Sequence, residues 1–156
     1  MHSLIGASAL TGTTIKYSPG VPAIESYLAR PRASSLMAQL DAIFFEASGT
    51  KTFASSEERE AFRERWLGRY LAHDAQHAFL AIADAGSPGE TLAGYLVGSI
   101  EDPARAVRFD DLEYFKALSH LTARYPAQLH VNLASSWQGK GVGRALVEVF
   151  CQHVRG

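Results

Sequence analysis

The sequence predicts a mixed α/β fold (α+β), a mostly antiparallel sheet flanked by helices. Three observations carry that prediction. Two stretches of helical apolar period occupy the first half, two apolar β-compatible runs flank a Gly/Pro loop in the middle, and an alternating strand leads through a glycine-rich turn into a last amphipathic helix. A length of 156 residues fits one domain, 1–156, because a split would leave each half short of buried surface. With 47% hydrophobic and 20% charged residues the chain can build a core and lacks the bias of disorder. The net charge of −1 offers no basic field, so neither nucleic acid nor a membrane surface is an expected partner. The single cysteine, Cys151, excludes an internal disulfide framework and a multi-thiolate metal site. With no apolar run long enough to span a bilayer and no signal in Met1 to Leu10, the cytoplasm is the expected location.

Taken in order, Thr13 to Tyr17 reads as a short strand before Pro19-Gly20. Ser34 or Ser35 can cap a helix through Ala47 that places Leu36, Leu40, Ile43 and Phe44 on one face, with Gly49 just past its end. Ser55-x-x-Glu58 is a capping box that opens a second helix to about Leu71, with Phe62, Trp66 and Tyr70 in register, readable as an aromatic ligand wall but better as a core face. Ala78 to Asp84 and Thr91 to Ile100 form an antiparallel hairpin around Ala85-Gly86-Ser87-Pro88-Gly89. Asp110-x-x-Glu113 can cap a third helix carrying Leu112, Phe115 and Leu118, ended before Pro126. Gln128 to Ala134 alternates Leu129, Val131 and Leu133 with His130 and Asn132, a strand with two unlike faces. From Val142, the residues Ala145, Leu146, Val149, Phe150 and His153 continue one helical stripe.

The chemistry is concentrated where that strand meets the last helix. Gly139, Gly141 and Gly143 alternate at a strand-to-helix turn, permitting backbone angles barred to other residues and clearing side chains from the approach to the backbone. The free N–H groups and positive dipole end of the helix then make a site for phosphate, best a pyrophosphate, with Lys140 and Arg144 adding charge at its rim. Glycines alone could equally mark a mere turn of the chain.

On the segment 128–154 the sequence resembles the GNAT superfamily of N-acetyltransferases, whose acetyl-CoA motif is Q/R-x-x-G-x-G/A after the fourth strand. Gln138-Gly139-Lys140-Gly141-Val142-Gly143 meets it at every defined position. The order of strand, two helices, hairpin and strand upstream is also similar. Tyr125 to Asn132 resembles a subgroup that includes the acetyltransferase-like domains of O-GlcNAc hydrolases. The resemblance implies an acyl-CoA N-acyltransferase-like fold, acetyl-CoA as cosubstrate, and transfer to a primary amine of a small molecule or protein by direct attack. It implies that backbone amides of Lys140, Gly141, Val142 and Gly143 hold the pyrophosphate while Gln138 shapes the turn. The strand edge at Asn132 and Leu133 would pair with the pantetheine arm, and the Leu133 N–H would stabilise the oxyanion.

A base must take the amine proton, and Glu101, Asp102 and His130 are the candidates, each equally readable as an ordinary strand-end or hydrogen-bonded residue. Members of the family continue with a fifth strand, a helix and two more strands, which would follow Gly156. The tyrosine that protonates the leaving thiolate belongs to that part, and Tyr95 and Tyr114 are not at its position. A missing fifth strand would leave an open sheet edge and part of the last helix's apolar stripe uncovered, so either the sequence is truncated or another chain completes it, in a homodimer or a strand-exchanged assembly. A noncatalytic acyl-CoA-binding module is the other function class compatible with the same turn.

Other motifs carry less. His73-Asp74-Ala75-Gln76-His77 has the spacing of a zinc helix but falls at a helix end with no third ligand, which predicts surface histidines and no metal. G-x-G-x-x-G fails at Arg144 or Leu146, and neither G-x-x-x-x-G-K-[ST] nor G-x-S-x-G occurs. Cys151 has no motif partner and reads as a packing thiol.

Overall fold

A computed structural model of the protein describes residues 21–30 and 35–156; the expected strand at Thr13–Tyr17 and the cap Ser34 lie outside them. Four strands form one sheet in the order β1-β2-β3-β4: β1 Ala23–Ser26, β2 Phe79–Ala83, β3 Thr91–Ser99 and β4 Gln128–Leu133. Every neighbouring pair is antiparallel. β1 has no counterpart in the sequence reading, because a four-residue strand directly after Pro22 is too short to show a period. The hairpin between β2 and β3 turns at Asp84 and Gly86, both at positive φ (51° and 82°). β2 is buried at every residue, which is why its sequence is a continuous apolar run.

The helices cover both faces. α1 Ser35–Ala47 buries Leu36, Leu40, Ile43 and Phe44, as its period requires. α2 Ser56–Arg63 starts at Ser55, whose Oγ accepts the Glu58 N–H at 3.2 Å. The Glu58 carboxylate reaches back to the Ala54 N–H (2.8 Å), so the box closes one residue early. Where one uninterrupted helix was expected, α2 passes through a π turn, Glu64–Gly68, into α3 Arg69–His73. The Glu64 carboxylate occupies the space a Cβ on Gly68 would need, so a larger residue there would make that exposed side chain swing aside. α4 Glu113–Ala117 and α5 Ser119–Thr122 replace the single third helix, with a break at Leu118. Asp110 does not cap α4; it pairs with Lys116 at 3.4 Å, while Leu112 and Phe115 are buried and Leu118 stays exposed.

α6 Val142–Arg155 packs on the opposite face. Leu80, Ile82, Tyr95 and Val97 join α1, Leu67 and Tyr70 in one core, and Phe79, Ala81 and Leu96 join Val142, Ala145, Leu146, Val149 and Phe150 in the other. The expected exposure of the apolar stripe is therefore corrected: the sheet covers it within the chain. Phe150 can come this close because Gly98 has no side chain; a Cβ there would lie 2.6 Å from Phe150 Cε2. Among the described residues, the outer edge of β4 pairs with no strand.

Candidate functional site

β4 divides the site. Its odd residues Leu129, Val131 and Leu133 pack toward α6, while His130 and Asn132 face α3 and the first core. The backbone alternates as well. The Ala134 N–H donates to Ala93 O at 3.0 Å, and β3 pairs Tyr95 with Asn132 and Val97 with His130. In an antiparallel ladder the N–H and C=O of one residue point the same way. Asn132 and His130 therefore turn their backbone groups into the sheet, and Leu133 and Val131 turn theirs to the open edge. Asn132 is thus misplaced in the sequence reading as an edge donor: its backbone serves β3 and its side chain donates to the Tyr95 hydroxyl at 2.8 Å. The Leu133 N–H points outward as anticipated.

Beyond β4 a single 3₁₀ turn, Ser135–Trp137, leads into Gln138, which is extended. Gly139 (φ 72°) and Gly141 (φ 81°) both lie in the left-handed region, and a Cβ on either would project into open space. Gly141 caps α6 without a side-chain hydrogen bond, and the first turn of α6 carries no acidic residue. The Val142, Gly143 and Arg144 N–H groups precede the first intrahelical donor, Ala145, whose N–H reaches Gly141 O at 3.0 Å. Clear space, free donors and the positive dipole end fit a phosphate-bearing group. Lys140 Nζ rests 5.1 Å from the centre of the Trp137 ring, beside the turn. Arg144 is turned along the helix to Glu148 (2.7 Å) and remains highly exposed.

On the other face of β4, His130 Nε2 lies 3.1 Å from the Tyr70 hydroxyl, which also donates to Gln128 Oε1 at 3.3 Å. Trp66 meets the His130 ring edge-on, with centroids 6.3 Å apart. Burial holds the His130 imidazole below the usual histidine range, so it stays neutral near pH 7. Burial also pushes the Tyr95 hydroxyl up to about 12 and raises Tyr70 further. Gln128 Nε2 is buried without a partner among the described residues, an amide donor left over beside this pair.

The acidic candidates are placed elsewhere. Glu101 is ion-paired with Arg108, which also holds the buried Asp74 at 2.9 Å and Ser99 at 2.9 Å. Asp102 accepts the Ala104 N–H at 3.0 Å and shapes the bend after β3. Neither joins His130. The histidine spacing gave one surprise: His77 is buried, not on the surface, and its Nδ1 lies 2.9 Å from His153 Nε2 on α6. Tyr70, Trp66 and the Arg108–Asp74 pair were not singled out as site residues, and only the aromatic spacing of Phe62, Trp66 and Tyr70 hinted at the first two. No group of three or more metal-ligating side chains occurs among the described residues, and no helix among them is long and apolar enough to cross a membrane.

Four antiparallel strands, helices on both faces and a glycine turn from β4 into α6 define a fold of mixed α/β class. A solved structure described as "Crystal structure of SsHAT" shares it, with a TM-score of 0.57 at 22% sequence identity over 86% of this chain and 77% of that one. No family model matches the sequence, and no curated protein matches it significantly.

Proposed function

We propose that the protein is an acetyl-CoA-dependent N-acetyltransferase acting on a primary amine of a small molecule or protein. The observation that carries the proposal is the end of β4. An outward strand edge, two left-handed glycines and an uncapped helix start follow one another there, with a neutral, half-buried histidine on the adjoining strand face.

Backbone N–H groups of α6's first turn would hold the pyrophosphate, and the outward groups of Val131 and Leu133 would hold the pantetheine arm as an added strand would be held. Acetyl-CoA supplies the activated thioester. The Leu133 N–H is the donor placed for the developing oxyanion. His130 would be the base: the other candidates, Glu101 and Asp102, are engaged by Arg108 and Ala104, whereas burial keeps the His130 imidazole neutral. With the Tyr70 proton given to Gln128 Oε1, the Tyr70 oxygen accepts from His130 Nε2–H, which leaves Nδ1 as the basic atom. A primary amine is mostly protonated near neutral pH, so removal of its proton is the step this imidazole would serve, directly or through water.

The test is calorimetric titration of the chain with acetyl-CoA, followed by thiol release on adding amines. One site per chain and amine-dependent thiol release are expected. Binding without release would leave the noncatalytic acyl-CoA-binding reading, and no binding by a folded chain would refute both.

A further inference from the structure

We propose that the acceptor amine carries an aromatic or similarly bulky apolar substituent, received by a cavity between α2 and the loop that precedes it. The inference rests on His130 being the base. The cavity, about 300 Å³, is lined by the apolar rings of Phe53, Phe62 and Trp66, by Ala61, and by Glu58 and Arg65. That volume lies at the lower end of small-molecule sites. Phe53 and Phe62 stand 5.3 Å apart at 56°, and Phe44 and Phe45 back them at 5.6 and 5.9 Å. The wall is therefore part of a packed aromatic cluster and keeps its shape without a ligand.

The two ionic groups of the lining are already engaged. Glu58 accepts the Ala54 N–H at 2.8 Å, and Arg65 lies 2.9 Å from Asp111 with its guanidinium 5.5 Å from the Trp66 ring. What the cavity offers a ligand is chiefly phenyl and indole surface, which suits an uncharged ring better than a second ammonium. Trp66 is the side chain shared by this wall and by the edge-on contact with His130. It sits in the π turn Glu64–Gly68, whose extra residue changes the helix phase between Phe62 and Tyr70. The turn thus lets Phe62 and Trp66 line the cavity while Tyr70 holds His130. A ring seated in the cavity would lie against Trp66, whose indole also touches the imidazole.

The test uses the full chain titrated with 2-phenylethylamine and with spermidine, with and without CoA, read by calorimetry and tryptophan fluorescence. Trp66 lines the cavity and the chain has 2 tryptophans, so quenching of one is a sensitive readout. Ala61 is exposed on α2, and Ala61→Phe fills the cavity without removing a packed side chain; Ala61→Leu is the milder fill if the first does not fold. 2-Phenylethylamine is expected to bind at least tenfold tighter than spermidine, and each folded variant to weaken it at least tenfold. Equal or tighter spermidine binding, no binding of 2-phenylethylamine in either state, or unchanged affinity in a folded variant overturns the inference. Amine binding is read without acetyl transfer, so a chain that passes here and fails the acetyl-CoA titration overturns the transfer reading instead.

Discussion

Gly141→Asp separates binding from folding at the glycine turn. Gly141 has φ 81° and ψ −1°, and nothing lies within 4 Å of where a Cβ would stand, so the substitution meets strain but no clash. A non-glycine residue in the left-handed region costs roughly 1–2 kcal/mol. A carboxylate at the positive end of α6 returns about 0.3–1 kcal/mol. The net loss, on the order of 1 kcal/mol, should lower the melting temperature by about 2–4 °C in a chain of this size. Against a bound pyrophosphate the same carboxylate is a like charge. At about 4 Å and an effective dielectric near 20, each unit of phosphate charge is repelled by about 4 kcal/mol, or on the order of a thousandfold in affinity. Circular dichroism melting and calorimetric titration with acetyl-CoA on one sample measure both quantities. Gly141→Ala carries the strain without the charge and should keep most of the affinity. A folded Gly141→Asp chain that binds acetyl-CoA like the parent would refute the assignment of this turn.

The pH dependence has a definite sign. His130 and His77 are held below the ordinary 6.5, both by burial and His77 also by His153, against an opposing pull from Asp74. Below that value the unfolded chain takes protons that the folded chain refuses. Stability should be flat above pH 6.5 and fall as pH drops toward the depressed folded values, as thermal melts from about pH 8 to about pH 5 would show. Thiol release should have an acid limb below 6.5 that His130→Gln removes; a limb that persists in the variant excludes His130 as the base. Tyr70→Phe removes two hydrogen bonds, to Gln128 and from His130, each of about 0.5–1.5 kcal/mol. It should lower kcat up to about tenfold with little change in KM for acetyl-CoA, and an unaltered kcat would exclude the tautomer assigned to His130. Gly98→Ala places a methyl 2.6 Å from Phe150 and should destabilise the chain by about 1–3 kcal/mol in chemical denaturation; an unchanged midpoint would mean α6 shifts freely on the sheet.

The strand–turn–helix from Gln128 to Arg155 was legible in the sequence because all of its signals are local: alternation, glycine spacing and one helical stripe. The caps of α2 and the hairpin were legible for the same reason, since each depends on residues a few positions apart. The third helix misled because an Asp-x-x-Glu spacing states what could cap, whereas Asp110 found Lys116 instead. Asn132 was misassigned because a strand's period shows which side chains share a face, and only pairing with β3 decides which backbone groups remain free.

The surroundings of His130 needed the tertiary fold. Tyr70 and His130 are 60 residues apart, and they meet because α3 packs on the sheet face to which β4 turns His130, opposite the face that β4 buries against α6. His77 and His153, 76 residues apart, meet through the packing of α6 on the sheet. Hydrophobic period determines which elements form and which face each one buries. Which polar groups then become neighbours depends on how those faces stack, so the glycine turn could be read from the chain and His130 named among the candidates, while its contacts with Tyr70 and Trp66 and the cavity beside Trp66 were decided by packing.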